Sequence, residues 1–194
     1  MNQLVEIPNI RNITISGRIG SGATTLAVKL SEVLGWEILE GGQIMRRINK
    51  EVGAGIVETN KRPDHFDLEY EKMVKKILRE EKNRIIQSHL AGFDARGIKG
   101  TYKILVVCED EEGDDKKDIR IDRLVNRDKI SVEKAKNEVI EREKRNLEKW
   151  RRLYADNDEI WIYWDKKYYD LVINTYSLNK EEALRIALKA IEFS

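Results

Sequence analysis

The sequence predicts an α/β fold: a five-stranded parallel sheet with helices on both faces, carrying a small helical lid. Three observations lead there. Short β-rich runs alternate with amphipathic helical patterns, the rhythm of a parallel sheet covered on both sides. One run, "TYKILVVCE", is nearly all apolar, as a strand buried on both faces must be. Finally, "ITISGRIGSGATTLAVKL", from Ile13 to Leu30, passes from an apolar strand through glycines into a helix.

The elements follow in chain order. "NITISG" is the first strand, ending in glycine. "TTLAVKLSEVLG" is a helix with Leu26, Leu30, Val33 and Leu34 on its apolar face and Gly35 as its stop. "WEILE" is the second strand, ended by Gly41 and Gly42, and "QIMRRINKEVG" a short helix. "HFDLEYEKMVKKILREE" is a longer one, with Phe66, Tyr70, Met73, Ile77 and Leu78 on one side. "RIIQS", "TYKILVVCE" and "YDLVINT" complete the sheet. "KEEALRIALKAIEF" closes the chain as an amphipathic helix, with Asn179 and Glu182 spaced as a capping box. In such a sheet, ligands sit beyond the carboxyl ends of the strands. Gly17, Gly42, Ser88 and Glu109 all fall there.

The region from Ile119 to Tyr154 breaks this rhythm. It is strongly helical and crowded with charge. Glu138–Arg142, Glu141–Arg145 and Glu148–Arg152 are i,i+4 pairs in the favourable order, most of them read as a solvated face. Its apolar stripe begins at Val132, Ala135 and Val139 and ends at Trp150 and Leu153. Arg142 and Asn146 interrupt it. A cation on an inward stripe is costly to bury unless an anion meets it. Either a structural carboxylate or a bound phosphate would serve. The acidic stretch "EDEEGDDKKD" reads as an exposed loop.

Composition narrows the function. The 194 residues suit one compact domain, and the net charge of only +1 argues against a protein that coats nucleic acid. No run reaches the roughly 18–20 apolar residues of a membrane span, and the first residues lack a secretory pattern. Cys108 is the only cysteine, which excludes an internal disulfide; it reads as a buried strand residue. These features fit a cytoplasmic protein, expected to be a monomer.

The glycine-rich turn carries the chemistry. Gly17, Gly22 and Thr24 fit the phosphate-loop pattern G-x-x-x-x-G-K-[ST], but Ala23 stands at the lysine position. Glycines at 17, 20 and 22 let backbone N–H groups point inward, where they and the helix N-terminus hold phosphate oxygens. Ser21 and Thr25 flank this site, and the Thr24 hydroxyl is placed to ligate Mg²⁺. Arg18, within the loop, is a candidate substitute for the missing lysine charge.

On these residues the chain resembles the cytidylate kinases, particularly the compact archaeal-type branch of the nucleoside monophosphate kinases. The likeness runs over nearly the whole length. "ITISGRIGSGATTLAVKLSEVLGWEILEGGQIMRRI" is similar to that branch's opening, and "RIIQSHLAGF" to its "VLEGRLAGW". "IRIDRLVNRDKISVEKAKNEVIEREKRNLEKWRRLYADND" is similar to its lid, with Arg120, Arg123, Arg127 and Arg142 on arginine positions. "DLVINT" matches its closing strand.

The resemblance implies one domain over 1–194, with an acceptor-binding segment near 41–82 and a lid near 119–154. It implies ATP- and Mg²⁺-dependent phosphoryl transfer to CMP or dCMP. The ATP site takes Gly17, Arg18, Gly20, Ser21, Gly22, Ala23, Thr24 and Thr25, with Thr24 toward the metal. Arg46, Asp67, His89 and Gly92 fall on acceptor positions, and Arg123, Arg127 and Arg142 on catalytic ones. Asp67 suits either a base contact or a surface or capping role. Gln87-Ser88-His89 departs from the family's Glu-Gly-Arg, whose arginine helps hold the monophosphate. His89 reads equally as a satisfied buried histidine. Two alternatives remain: a degenerate kinase that binds nucleotide without turnover, and a small-molecule kinase with another acceptor.

Overall fold

The computed structural model describes residues 4–55 and 57–192. Five strands form one sheet: β1 (Asn12–Gly17), β2 (Glu37–Glu40), β3 (Arg84–Gln87), β4 (Thr101–Val107) and β5 (Leu171–Asn174). Their order is β2-β3-β1-β4-β5, and every pairing is parallel. The central strand β1 is buried throughout. Ile13 and Ile15 supply its apolar contacts, and β4 is buried from Ile104 to Val107.

Helices cover both faces. On one, α1 (Ala23–Leu34) and α8 (Lys180–Ala190) pack Leu30, Leu34 and Ala187 onto the sheet. Full burial of a leucine such as Leu30 contributes about 2 kcal/mol. On the other face, α3 (Asp64–Glu80) and the short α4 (Ala91–Asp94) bury Tyr70, Val74, Leu78 and Ala91 against Ile86. The capping box forms: the Asn179 side chain accepts from the Glu182 N–H, and Glu182 accepts in return from the Asn179 N–H. Phe193, expected at the end of α8, lies outside the described residues.

Several expectations need correction. Gly41 and Gly42 do not form a loop after β2; they open α2 (Gly41–Glu51). The inward face of α3 runs through Asp67, Tyr70, Glu71, Val74 and Leu78, while Met73 is exposed. That face is partly polar because it fronts a cavity as well as the core. Val33 and Val132 are likewise exposed.

The charged region folds as α5 (Lys117–Asp128) and then α6 (Val132–Lys136), a π-helical stretch (Asn137–Arg142) and α7 (Glu143–Tyr154). Backbone angles stay right-handed helical across the last three, so they run on as one helix. Of the expected i,i+4 pairs, Glu138–Arg142 forms, and it is buried rather than solvated. Arg152 turns to Asp64, and Arg145 donates to the Val57 carbonyl. No described helix is long and apolar enough to cross a membrane.

Candidate active site

The site begins where β1 ends. Beyond Gly17 the chain turns through Gly20 and Gly22, both at positive φ (80° and 102°). A Cβ at Gly20 would also lie 2.4 Å from the Arg120 carbonyl oxygen. Only glycine meets both demands. Helix α1 then starts at Ala23 with no side-chain cap. Its first N–H groups are therefore left to whatever anion sits before them.

The loop forms one wall of a cavity of about 500 Å³. Gly17, Gly22, Ala23, Thr24 and Thr25 line it. The same cavity is lined by Arg46 from α2, Arg62 from the turn before α3, Arg127 from α5 and Arg142 from the π-helical stretch. Four elements distant in sequence thus bring guanidinium groups to one space.

These arginines differ in how far they are already paired. Arg62 is held by both oxygens of Asp67 (3.1 and 2.6 Å) and by Asn49 (2.8 Å). Lys149 reaches the same Asp67 at 2.7 Å. Asp67 is therefore a buried anchor for two cations, not a surface or capping residue. Arg127 is paired with Asp128 and partly exposed. Arg142 donates to Glu138 at 3.1 Å, while its Nε is buried with no partner. Burial lowers the Arg142 pKa from its ordinary value; Glu138 opposes this, and Arg46 and Arg62 add to it. An anion in the cavity would relieve that strain on the charged form.

Other expected site residues are engaged by the protein itself, inside the cavity or outside it. Arg18 lines the cavity wall, but its guanidinium is bound to Asp115 (3.1 Å) and Glu143 and lies 4.4 Å from the Trp164 ring centroid. Its charge is thus already met by two carboxylates of the protein itself. Asp115 belongs to the acidic stretch expected to be exposed; it also takes Arg120 at 2.7 Å. Arg123 does not line the cavity. It holds the Thr175 hydroxyl (2.8 Å) and the Thr175 carbonyl (2.6 Å) and braces the loop from behind through the Ser21 carbonyl. Ser21 itself is fully buried, and its N–H is bonded to the Arg18 carbonyl.

Gly92 is likewise outside the cavity: a Cβ there would lie 2.2 Å from the Tyr169 ring, and its N–H donates to the Ser16 hydroxyl. It is a packing glycine. Glu109 pairs with Lys166. His89 does line the cavity, but its Nδ1 lies 2.8 Å from the Gly17 carbonyl oxygen. Withdrawal from water, helped by Arg142, pushes its pKa down to about 4. At neutral pH it is an uncharged ring donating to the loop backbone, which satisfies it.

Sequence reasoning passed over Arg62, Lys149, Tyr70, Glu71 and Asn49. Asp67, Tyr70 and Glu71 follow helical spacing, and a stripe mixing acids with apolar residues was the available signal. Lys149 was hidden among many surface charges.

No protein-family model matches the chain. Curated relatives do. A cytidylate kinase from Saccharolobus islandicus is 31% identical over 180 residues, covering 91% of this chain and 88% of the relative. The chain belongs to the cytidylate kinase family. The cytidylate kinase of Natronomonas pharaonis agrees, at 32% identity over 182 residues and with 92% of this chain covered, 88% of the relative. This kinase is accordingly a phosphotransferase that uses a nucleotide.

Solved structures show the same P-loop kinase fold. A shikimate kinase from Bacteroides thetaiotaomicron superposes with a TM-score of 0.57 at 14% identity, covering 94% of this chain and 98% of that one. A gluconokinase from Sinorhizobium meliloti gives 0.56 at 12% identity, with 97% and 94% covered. At such identities the likeness concerns the fold alone.

Proposed function

We propose that this kinase transfers the terminal phosphoryl group of ATP, bound with Mg²⁺, to CMP or dCMP. The observation that carries the reading is the single cavity joining the glycine loop to Arg46, Arg62, Arg127 and Arg142. Phosphoryl transfer is chiefly positioning and charge neutralisation, and this is the equipment it needs. Arg46 and Arg62 hold the acceptor phosphate. Arg142, with Arg127, meets charge that develops on the transferred group.

The loop suits ATP phosphates, since the uncapped start of α1 and the left-handed glycines leave backbone donors at the cavity. Mg²⁺ fits in one way. No described group of three His, Cys, Asp or Glu could hold it, so Thr24 supplies the protein oxygen and the remaining ligands come from the nucleotide and water. The ion supplies charge neutralisation across the phosphates when bound.

A second reading keeps the reaction and changes the acceptor. His89, neutral and tied to the Gly17 carbonyl, occupies the position of a family arginine that helps hold the monophosphate. A coupled assay with ATP and CMP, dCMP, UMP, AMP or GMP separates the two. Turnover highest on CMP or dCMP supports the proposal. Turnover on none of the five, with nucleotide still bound, rejects it in favour of another acceptor or a binding-only protein.

A further inference from the structure

The cavity holds a carboxyl group that phosphoryl transfer leaves unused. Glu71, on α3, lines it beside Asp67 and Tyr70 although only 5% of the residue is exposed. The two acids are treated differently. Asp67 is neutralised by Arg62 and Lys149. Lys75, one turn along from Glu71, pairs instead with Asp94 of α4 at 3.2 Å. The groups facing Glu71 are thus Asp67, Tyr70 and Lys75 on its own helix, Asp94 on α4 and the Tyr154 hydroxyl on α7. Burial, then Asp94, pushes the Glu71 carboxyl well above the ordinary carboxylate range; Tyr154 and Lys75 oppose this only in part.

The surroundings await a polar ligand. The Thr59 hydroxyl, on a cavity-lining residue, is buried without a partner, and the Tyr70 and Ser88 hydroxyls beside the cavity have only each other. A buried polar group left unpaired costs about 1–3 kcal/mol. A protonated carboxyl among such groups is a poor phosphate ligand beside four arginines. It is well suited to a neutral edge that both donates and accepts.

We infer that Glu71 reads the base of the acceptor nucleotide, holding the polar edge of its ring with one donated and one accepted hydrogen bond. This rests on the acceptor reading above and deepens it. The neutral acid donates its O–H to a ring nitrogen or carbonyl and accepts, at its C=O, from an amino group or ring N–H. A carboxylate has only acceptors. Ionised, it sets a lone pair against a lone pair of the base, and binding weakens. Affinity for the base therefore depends on the Glu71 proton, whereas affinity for the phosphate does not.

The test is calorimetric binding, from neutral to alkaline pH, of CMP and of ribose 5-phosphate, which carries the phosphate without the base. Full-length wild type, Glu71→Gln and Glu71→Ala are compared. Wild type is expected to lose CMP affinity by about 10-fold as pH rises, with no parallel loss for ribose 5-phosphate. Glu71→Gln keeps one donor and one acceptor but does not titrate, so it binds CMP without that pH dependence. Glu71→Ala loses CMP affinity on the order of 10-fold at neutral pH and leaves ribose 5-phosphate unchanged.

Undiminished CMP binding in Glu71→Ala overturns the inference, as does an alkaline loss in Glu71→Gln equal to that of wild type. No CMP binding by wild type overturns it too. If Glu71→Ala does not fold, the Glu71→Gln profile decides. Base reading with the expected profile but no phosphoryl transfer would remove the acceptor reaction alone. Transfer to CMP with silent Glu71 variants would remove only the role of Glu71.

Discussion

Arg142 carries a positive charge on the inward face of a helix, and the protein meets only part of its need. Glu138 accepts from one Nη, while the Nε is left without a partner in a cavity shared with Arg46 and Arg62. A donor arranged this way is worth most when negative charge peaks. Arg142→Ala should lower kcat by about 10²- to 10³-fold and change monophosphate binding less. Steady-state kinetics with the best acceptor checks this, and full turnover in the variant would make Arg142 a structural residue.

His89 offers a pH readout at the same scale. Its folded pKa, near 4, lies below the ordinary 6.5. Between those values the unfolded chain binds a proton that the folded protein does not. Stability therefore rises with pH across that window and falls on acidification through it. Melting temperatures of wild type and His89→Gln across the window should show the slope in wild type and a flatter line in the variant.

At the scale of elements, the loop and the charged helices are joined by an ion network. Glu143, at the start of α7, takes Arg18 from the loop and Arg120 from α5, and Asp115 takes both arginines as well. Arg120 is fully buried and also donates to the Ile19 carbonyl at 2.6 Å. The π-helical stretch matters here. Its wider turn ends with adjacent inward residues, Arg142 toward the cavity and Glu143 toward the loop. Such insertions recur at functional sites because they redirect side chains without ending the helix.

Arg18→Ala should therefore act mainly on stability. It leaves the buried Glu143 to Arg120 alone, at a cost of about 1–3 kcal/mol. Denaturant unfolding measures that cost. Activity below the melting range should fall less than for Arg142→Ala; the reverse order would return Arg18 to the catalytic group.

Across the whole molecule, the cavity lies between the carboxyl end of the sheet and the helices from α5 to α7. Arg62, Arg127 and Arg142 are each paired with a carboxylate there, yet the buried Arg142 Nε still has no partner. A nucleotide that binds only the folded form stabilises it by mass action, by about 2.7 kcal/mol at a hundredfold excess over Kd. ATP with Mg²⁺, and CMP separately, should each raise the melting temperature. Unmoved melting curves with saturating ATP, ADP and CMP would contradict the nucleotide site.

The succession of strands and helices along the chain was legible because it rests on local periodicity. Alternating apolar runs, the "GRIGSGATT" turn and the Asn179–Glu182 cap each act within a few residues, and each forms where its pattern lies. Family membership was legible for the same reason. What a charged side chain touches was not. Arg18, Arg123 and Arg142 look alike in sequence, yet one is neutralised by Asp115 and Glu143, one braces Thr175, and one is left with an unpaired Nε. Asp67 and Glu71 stand one helical turn apart and face the same cavity, but only Asp67 meets Arg62 and Lys149. Those partners lie up to 125 residues away, as between Arg18 and Glu143. Charge pairing depends on distances that only the packed sheet and helices determine. The sequence by itself determined the sheet, the loop and the family; the tertiary structure decided which charges remain for a ligand.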